Sequence, residues 1–319
     1  MIERFDGVKR SIAVLNRTEP DPIRNMLAET FGDDHVDVSD VRTTTENGAA
    51  AENGAAAENG SSIADEATAG SSAVMDALVV DGGPTVDVDD LRIRDAAGLT
   101  DRDLRTVENL VVLIEGDEIV AASPLEELVN AILLVNSDLY ITGARGLDAL
   151  DLPEVITALD DTVFTLRGYP ESNRQKLLLI TISRFIERAA WLAGEGTLRS
   201  SFQRLSRLDD EIGTRQVYEQ VPAAGVKTHV YGVGDRLPTD LDVEIHAGET
   251  RDYTDTWFVV FRPPGGPREV PSAETDLERG VAGGVALLAV ETEPRLWRGV
   301  WTFDPERIEP LDEYVRKTL

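Results

Sequence analysis

The middle of the chain carries the residues whose type and spacing best fit a binding chemistry, a group of six arginines: Arg184, Arg188, Arg199, Arg204, Arg207 and Arg215. A guanidinium group presents a planar fork of N–H donors that matches a carboxylate or a phosphate. In an extended strand, Arg199 and Arg207 would share one face, and Arg204 would point away. The segment therefore predicts an anion site, for a nucleotide or a phosphorylated partner. Salt bridges to nearby acids, such as Glu187 and Asp209, are the competing and commoner arrangement.

Aromatic residues supply a second candidate site. Trp297 and Trp301 are four positions apart, so they lie on one face of a strand. With Trp257 and Tyr231 they could line an aromatic pocket, although such residues more often form core. The candidate ligand-binding residues are therefore Arg199, Arg204, Arg207, Tyr231, Trp257, Trp297 and Trp301.

Other reaction chemistries find little support. The chain has no cysteine, which excludes disulfides, thiolate zinc sites, thiol catalysis and thiol-linked chromophores. Lys176 is the only candidate, a weak one, for a retinal Schiff base. His229 and His246 lack partners at the spacing of known metal motifs, so we expect no metal site. Nucleophile-elbow and phosphate-loop motifs are missing too, so we expect no enzyme, and any cofactor stays unknown.

Composition indicates the setting. The 319 residues carry a formal net charge of −28, and only four of the 31 basic residues are lysine. Such a surface is typical of a halophilic protein, in which salt screens the repulsion between carboxylates, and a generic acidic protein is the alternative. It disfavours nucleic-acid binding, which needs a basic footprint. The sequence shows neither a signal peptide nor an apolar run long enough for a membrane span, so we expect a cytoplasmic protein.

A long helix must position the arginines. After a turn at 168–170, Ser172 and Gln175 fit a capping box. A broad apolar face follows at helical spacing, through Leu178, Ile182, Phe185 and Ala189. Gly194 or Gly196 can end the helix in the left-handed conformation. This breadth predicts a central helix that is covered on more than one side.

The flanking segments divide the chain into three parts. Residues 1–41 predict a β-α-β unit. Residues 42–105 are acidic and low in complexity, with ENGAAA repeated at 46–51 and 52–57, and we expect a disordered insertion there. Residues 106–319 alternate strands and helices. The fold class predicted is α/β (α+β-like), a mixed β-sheet packed around the central helix in a single domain.

Several long motifs resemble one family. They are LVNSDLYITG (134–143), GTLRSSFQRLSRLDDEIGTRQVYE (196–219), TDTWFVVFRPP (254–264) and EPRLWRGVWTFDP (293–305). Together they resemble the DICT sensory domain, and the resemblance covers most of the chain outside 42–105. It implies an α/β sensory module with a proposed role in light response, and it supplies neither catalytic residues nor a ligand. No cyclase, kinase or helix-turn-helix segment is recognisable.

We therefore expect a sensory or regulatory domain in signal transduction that acts through a separate signalling partner. The alternative is an enzyme that acts on an anionic small molecule through the arginine-rich segment and acids such as Asp209 and Asp210. A purely structural scaffold is a third hypothesis. The sequence leaves open whether the chain forms a homo-oligomer.

Overall fold

The computed structural model describes residues 10–15, 36–40, 92–94, 100, 106–135, 142–167, 177–209 and 211–319. Within these ranges twelve strands form two sheets. The first sheet comprises β1 (Arg10–Leu15), β2 (Val36–Asp40), β3 (Arg92–Ile93), β4 (Leu110–Glu115) and β5 (Glu118–Pro124). The second comprises β6 (Phe164–Arg167), β7 (Thr197–Arg204), β8 (Lys227–Val233), β9 (Glu244–Ala247), β10 (Thr256–Arg262), β11 (Val285–Glu293) and β12 (Leu296–Thr302).

Seven α-helices accompany the strands in the same ranges. They are α1 (Leu125–Leu134), α2 (Glu154–Thr157), α3 (Leu177–Ala193), α4 (Ile212–Ala223), α5 (Arg251–Thr254), α6 (Asp276–Gly283) and α7 (Pro305–Thr318). Among the described residues, no helix has the length and apolar character that crossing a membrane requires.

Both sheets are mixed. In the first, ordered β2-β1-β4-β5-β3, β1 and β2 are parallel while β4 and β5 form an antiparallel hairpin. In the second, ordered β6-β12-β11-β10-β7-β8-β9, the pairs from β6 to β7 are antiparallel. The last three strands, β7, β8 and β9, run parallel. The second sheet therefore ends in a parallel edge that positions the polar residues described below.

Helix α3 is the predicted central helix. Thirteen of its 17 residues are buried, so it is covered on more than one side, as the breadth of its apolar face predicts. Gly194, with φ of 65°, ends it in the left-handed conformation. One core contains residues of α3 and of both sheets, among them Val14, Ile182 and Leu287.

The α/β class, with mixed β-structure around a central helix, is confirmed, although the strands divide between two sheets where the sequence predicts one. The predicted helix between β1 and β2, Lys176 and the capping box at Ser172 lie outside the described residues. So does most of the predicted insertion at 42–105. Near the end of that insertion, β3 pairs in parallel with β5, so this piece adds an edge to the first sheet.

The proline and glycine residues of 263–284 predict a loop throughout that range, but the structure has α6 within it. Thr275 accepts a hydrogen bond from the backbone N–H of Glu278, and the carboxylate of Glu278 accepts one from the backbone N–H of Glu274. This reciprocal arrangement closely follows the T-x-x-E capping box. The sequence therefore contains a helix-start signal in Thr275 and Glu278, although the neighbouring Pro and Gly residues favour a loop.

Candidate functional site

The six arginines do not converge on one site. Arg184 is buried in α3, where it hydrogen-bonds Glu187 and, at 2.8 Å, the hydroxyl of Thr214. Arg215 pairs with Asp209 and Asp240. The segment thus uses much of its positive charge in internal ion pairs, as the competing interpretation expects.

Arg204 and Arg207 lie away from Arg199. The Arg204 side chain is 65% exposed and approaches Asp235 at 3.6 Å. Arg207 lies in a 3₁₀ turn that follows β7, and its guanidinium hydrogen-bonds Gln203. The prediction that Arg199 and Arg207 share a strand face is therefore wrong, because the extended conformation ends at Arg204. Asp210 lies outside the described residues.

The aromatic candidates divide between the two faces of the second sheet. Trp297 and Trp301 do share a face, but both are buried in the core around α3, with the ring of Trp301 5.6 Å from that of Phe185. Trp257 packs against the same core and donates from Nε1 to the Ser183 hydroxyl at 3.0 Å. Tyr231 belongs to the core on the opposite face, under α7. These four residues therefore do not line a common pocket.

Tyr231 instead belongs to a polar group at the parallel edge of the second sheet. Strand pairing sets Arg199, His229 and Glu244 side by side on β7, β8 and β9. The next row on the same face places Tyr231 opposite His246. We call this group, completed by one residue of α7, the polar edge: Arg199, His229, Tyr231, Glu244, His246 and Asp312.

An ion pair anchors the inner side of the polar edge. Arg199 Nε donates to Asp312 Oδ1 at 2.7 Å, and its Nη1 donates to the hydroxyl of Tyr231 at 3.0 Å. The side chains of Arg199 and Asp312 are only 8% and 7% exposed. Burial raises the pKa of Tyr231, so its hydroxyl stays protonated at neutral pH. Arg199 is therefore engaged by its neighbours and ties α7 to β7.

Two imidazoles and one carboxylate meet on the outer side of the polar edge. His229 Nδ1 lies 2.9 Å from His246 Nε2 and 3.2 Å from Glu244 Oε2. Burial, reinforced by Arg199, lowers the pKa of His229 to about 4, so its ring is neutral at pH 7. The pKa of His246 is lowered for the same two reasons.

The structure thus places His229 beside both His246 and Glu244, a grouping that the sequence did not indicate. The expectation of no metal site rested on their separation along the chain. Parallel pairing of β8 with β9 removes that separation, because it brings residues of different strands into register. The one available signal was the alternation of His229 with Tyr231 and of Glu244 with His246, which becomes informative only once β8 and β9 are known to be neighbours.

A second candidate site is a cleft of about 640 Å³, and none of its lining residues belongs to the polar edge. Its walls come from β5, the α2 region, α3 and the segment that leads into α6. Arg188 of α3 lines it, and the Nε atom of Arg188 is buried without a hydrogen-bond partner. Among the described residues, the side chain of Arg188 makes neither an ion pair nor a hydrogen bond.

Acidic groups surround the same cleft. Glu127, Glu154 and Asp276 line it together with Arg188 and Arg279. Partial burial raises the pKa of Glu154, and repulsion by Asp276 and Glu127 adds to that effect. A cation beside these carboxylates would relieve their repulsion, and an anion would satisfy Arg188. The cleft therefore suits a small molecule that carries both charges.

Comparisons with known proteins add no identification to this geometry. The resemblance to the DICT sensory domain stays a prediction, and any functional assignment depends on the polar edge and on the cleft beside Arg188. Scans against protein-family models, curated proteins and solved structures found no match to this chain.

Proposed function

We infer that the chain is a sensory or regulatory domain that binds a small zwitterionic molecule in the cleft beside Arg188 and signals through a separate protein partner. The carboxylate or phosphate of the ligand accepts hydrogen bonds from Arg188. Its amine lies among Glu127, Glu154 and Asp276. A cytoplasmic setting belongs to this proposal on the strength of the acidic composition.

The observation that carries the proposal is the side chain of Arg188 in the cleft, whose Nε atom is buried without a hydrogen-bond partner. A buried donor without an acceptor costs about 1–3 kcal/mol, and more when it is charged. Such a cost is offset when a ligand supplies the acceptor, and a guanidinium binds a carboxylate or a phosphate through two parallel bonds. Arg184, which is fully buried on the same helix, already has Glu187 and Thr214 as partners, whereas Arg188 is only half-buried.

The dimensions and position of the cleft support a regulatory role. Small-molecule sites usually enclose about 300–1,000 Å³, and the cleft has about 640 Å³. A molecule bound there would contact Val120 of the first sheet, Phe185 of the central helix and Leu277 of α6 at the same time. Binding would therefore favour one relative arrangement of these elements, which is what a partner protein could recognise.

The enzyme alternative draws no support from the arginine-rich segment. Arg184 and Arg215 have ion-pair partners, Arg207 has Gln203, and Arg204 is mostly exposed. A role in light response would require a chromophore that is not attached through a thiol, since the chain has no cysteine.

The test is ligand-induced stabilisation of the whole chain, measured by thermal melting in the presence of a panel of amino acids and aminophosphonates. A ligand at 100 times its Kd stabilises by about 2.7 kcal/mol, which a melting curve resolves readily. Arg188→Gln should abolish the shift. Arg251→Gln, which alters a 94% exposed guanidinium, is the matched control and should keep it.

Two results would overturn the proposal. One is a panel that leaves the melting temperature of the wild-type chain unchanged, together with no small molecule released on denaturing the purified protein. The other is a stabilising ligand whose effect is the same in wild type and in Arg188→Gln. Circular dichroism of the variant provides the check that its fold is retained.

A further inference from the structure

The polar edge brings together three metal-ligating side chains that are unrelated to the cleft. His229 lies on β8, and Glu244 and His246 lie on β9. Parallel pairing sets His229 directly opposite Glu244, and His246 follows two residues along on the same face. The arrangement comes from backbone register, so it does not depend on a flexible loop.

The spacing of the three side chains is compatible with binding one metal ion. One ligand atom from each, two imidazole nitrogens and a carboxylate oxygen, lie within 4.8 Å of one another. Ligands held tetrahedrally at about 2.0–2.1 Å from a zinc ion lie about 3.3 Å apart. The separations of 2.9 Å between the two nitrogens and 3.2 Å between His229 Nδ1 and Glu244 Oε2 are close to that value.

Hydrogen bonds among His229, Glu244 and His246 leave part of their hydrogen-bonding capacity unsatisfied. The tautomers decide whether His229 Nδ1 donates to or accepts from His246 Nε2. If Nδ1 carries the proton, that one proton has to serve both His246 Nε2 and Glu244 Oε2. If it does not, the lone pairs of His229 Nδ1 and Glu244 Oε2 face each other at 3.2 Å. A cation at the centre would satisfy all three lone pairs at once.

The surroundings hold the ligands and leave access. The ring of Tyr231 stacks on that of His246 at 4.4 Å between centroids, nearly parallel at 10°. Lys227 Nζ binds Glu244 Oε1 at 2.9 Å, which leaves Oε2 for the metal. Asp312 offsets the charge of Arg199 beside the group. Strand β9 is the sheet edge and Glu244 is 53% exposed, so an ion can enter from solvent.

We propose that His229, Glu244 and His246 bind a divalent transition-metal ion, zinc in particular, with the remaining coordination positions open to water or a ligand. Two imidazoles and one carboxylate are a donor set suited to zinc and its neighbours in the first transition row. They are unsuited to Ca²⁺ or Mg²⁺, which require mostly oxygen ligands. The three protein ligands leave a tetrahedral ion with one open position.

The test uses the full chain, freed of metal by a chelator and titrated with Co²⁺ in the presence of excess Mg²⁺. Mg²⁺ occupies the many surface carboxylates, and bound Co²⁺ reports its ligands through visible absorption. We expect one strongly absorbing Co²⁺ per chain, displaced by Zn²⁺. Glu244→Gln and His246→Gln should each weaken binding by more than the roughly 10–100-fold that loss of a second-shell partner causes.

Two control variants test whether a histidine or a carboxylate outside the proposed site contributes to Co²⁺ binding. His35→Gln removes the chain's other histidine, and Glu313→Gln removes an exposed carboxylate of α7. Both should bind Co²⁺ as the wild type does. Zinc should also raise the melting temperature of these controls and of the wild type, but of neither Glu244→Gln nor His246→Gln.

A second readout needs no variant. X-ray absorption at the zinc edge of the loaded wild-type chain should show two imidazole ligands and oxygen neighbours. An all-oxygen zinc environment would overturn the proposal, because it would place the ion on surface carboxylates. So would equal Co²⁺ affinities of wild type and His246→Gln, or no binding at all, which would mean that the histidines only hydrogen-bond each other.

Discussion

Arg199 of β7 and Asp312 of α7, 113 residues apart in sequence, form an ion pair at 2.7 Å with both side chains almost fully buried. The pair fixes the C-terminal helix to the parallel edge of the second sheet. Removing one member of a buried pair leaves an uncompensated charge in a region of low dielectric constant.

We expect Asp312→Leu to lower the free energy of unfolding by about 3–5 kcal/mol, because Arg199 stays buried without its carboxylate. The double variant Arg199→Met/Asp312→Leu should recover much of that loss. Urea denaturation of the two single variants and the double variant measures the coupling. Glu313→Ala, which breaks the exposed pair with Lys317 on the same helix, should have little effect. Additive losses in the double variant would contradict this account.

A buried hydrogen bond links α3 to α4. The hydroxyl of Tyr218 donates to Glu187 Oε1 at 2.8 Å, and Glu187 also pairs with Arg184. Tyr218→Phe keeps the ring but removes this donor, so it should cost about 1–3 kcal/mol in chemical denaturation. Tyr314→Phe is the control, since the Tyr314 hydroxyl bonds to Asp252 at the surface. If the two variants lost the same amount of unfolding free energy, burial of the hydrogen bonds among Tyr218, Glu187 and Arg184 would contribute nothing to stability.

Truncating a buried residue of the central helix should cost much more stability than truncating an exposed one. Ile182 is fully buried, and Leu192 of the same helix is 47% exposed. Ile182→Ala leaves a cavity in the core shared by both sheets and should cost about 2–5 kcal/mol. Leu192→Ala should cost several-fold less. The midpoints of urea unfolding for both variants check this, and similar midpoints would argue against a core organised around α3.

Asp160 provides a pH-dependent prediction. Burial raises the pKa of its carboxyl, and Asp161 adds to the effect, although Arg279 at 3.1 Å and Arg10 at 3.7 Å oppose it. A carboxyl with a higher pKa in the folded state favours folding most at acid pH and loses that contribution as the pH rises. The difference in unfolding free energy, wild type minus Asp160→Asn, should therefore fall as the pH rises from about 4 to about 7. A difference that stays constant, or rises, would mean that the two arginines outweigh burial.

Salt should stabilise the chain as a whole. With a net charge of −28, carboxylates repel one another throughout the surface. The screening length falls from about 10 Å at 0.1 M to about 3 Å at 1 M salt. The melting temperature should therefore rise steadily with KCl concentration. A non-ionic osmolyte at matched osmolality is the control, and an equal rise with it would exclude charge screening as the cause.

The sequence predicts much of the fold because local patterns determine the elements concerned. The spacing of Leu178, Ile182 and Phe185 gives the central helix, and unbroken apolar runs give β10 and β11. The division into two sheets is different, since it depends on which strands pair. Apolar alternation shows that a strand has a buried face, but it does not show which neighbour that strand will take.

The candidate sites were harder to predict because they, too, depend on contacts between elements that are distant in the sequence. Arg199 was identified from its type, but its partner Asp312 lies on a helix that only tertiary packing brings near. His229 and His246 lack partners at the spacing of known metal motifs, and only the pairing of their two strands brings them together. Arg184 and Arg188 lie one helical turn apart, and only the structure shows that Arg184 has Glu187 and Thr214 as hydrogen-bond partners.

Strand β10 faces two cores at once. Trp257, Val259 and Phe261 point toward α3, and the alternate residues Phe258 and Val260 point toward α7. Adding or deleting a single residue would send every side chain beyond that point to the wrong side. Relatives of this chain should therefore vary in length only in the loops before and after β10, while the strand itself changes by replacement alone.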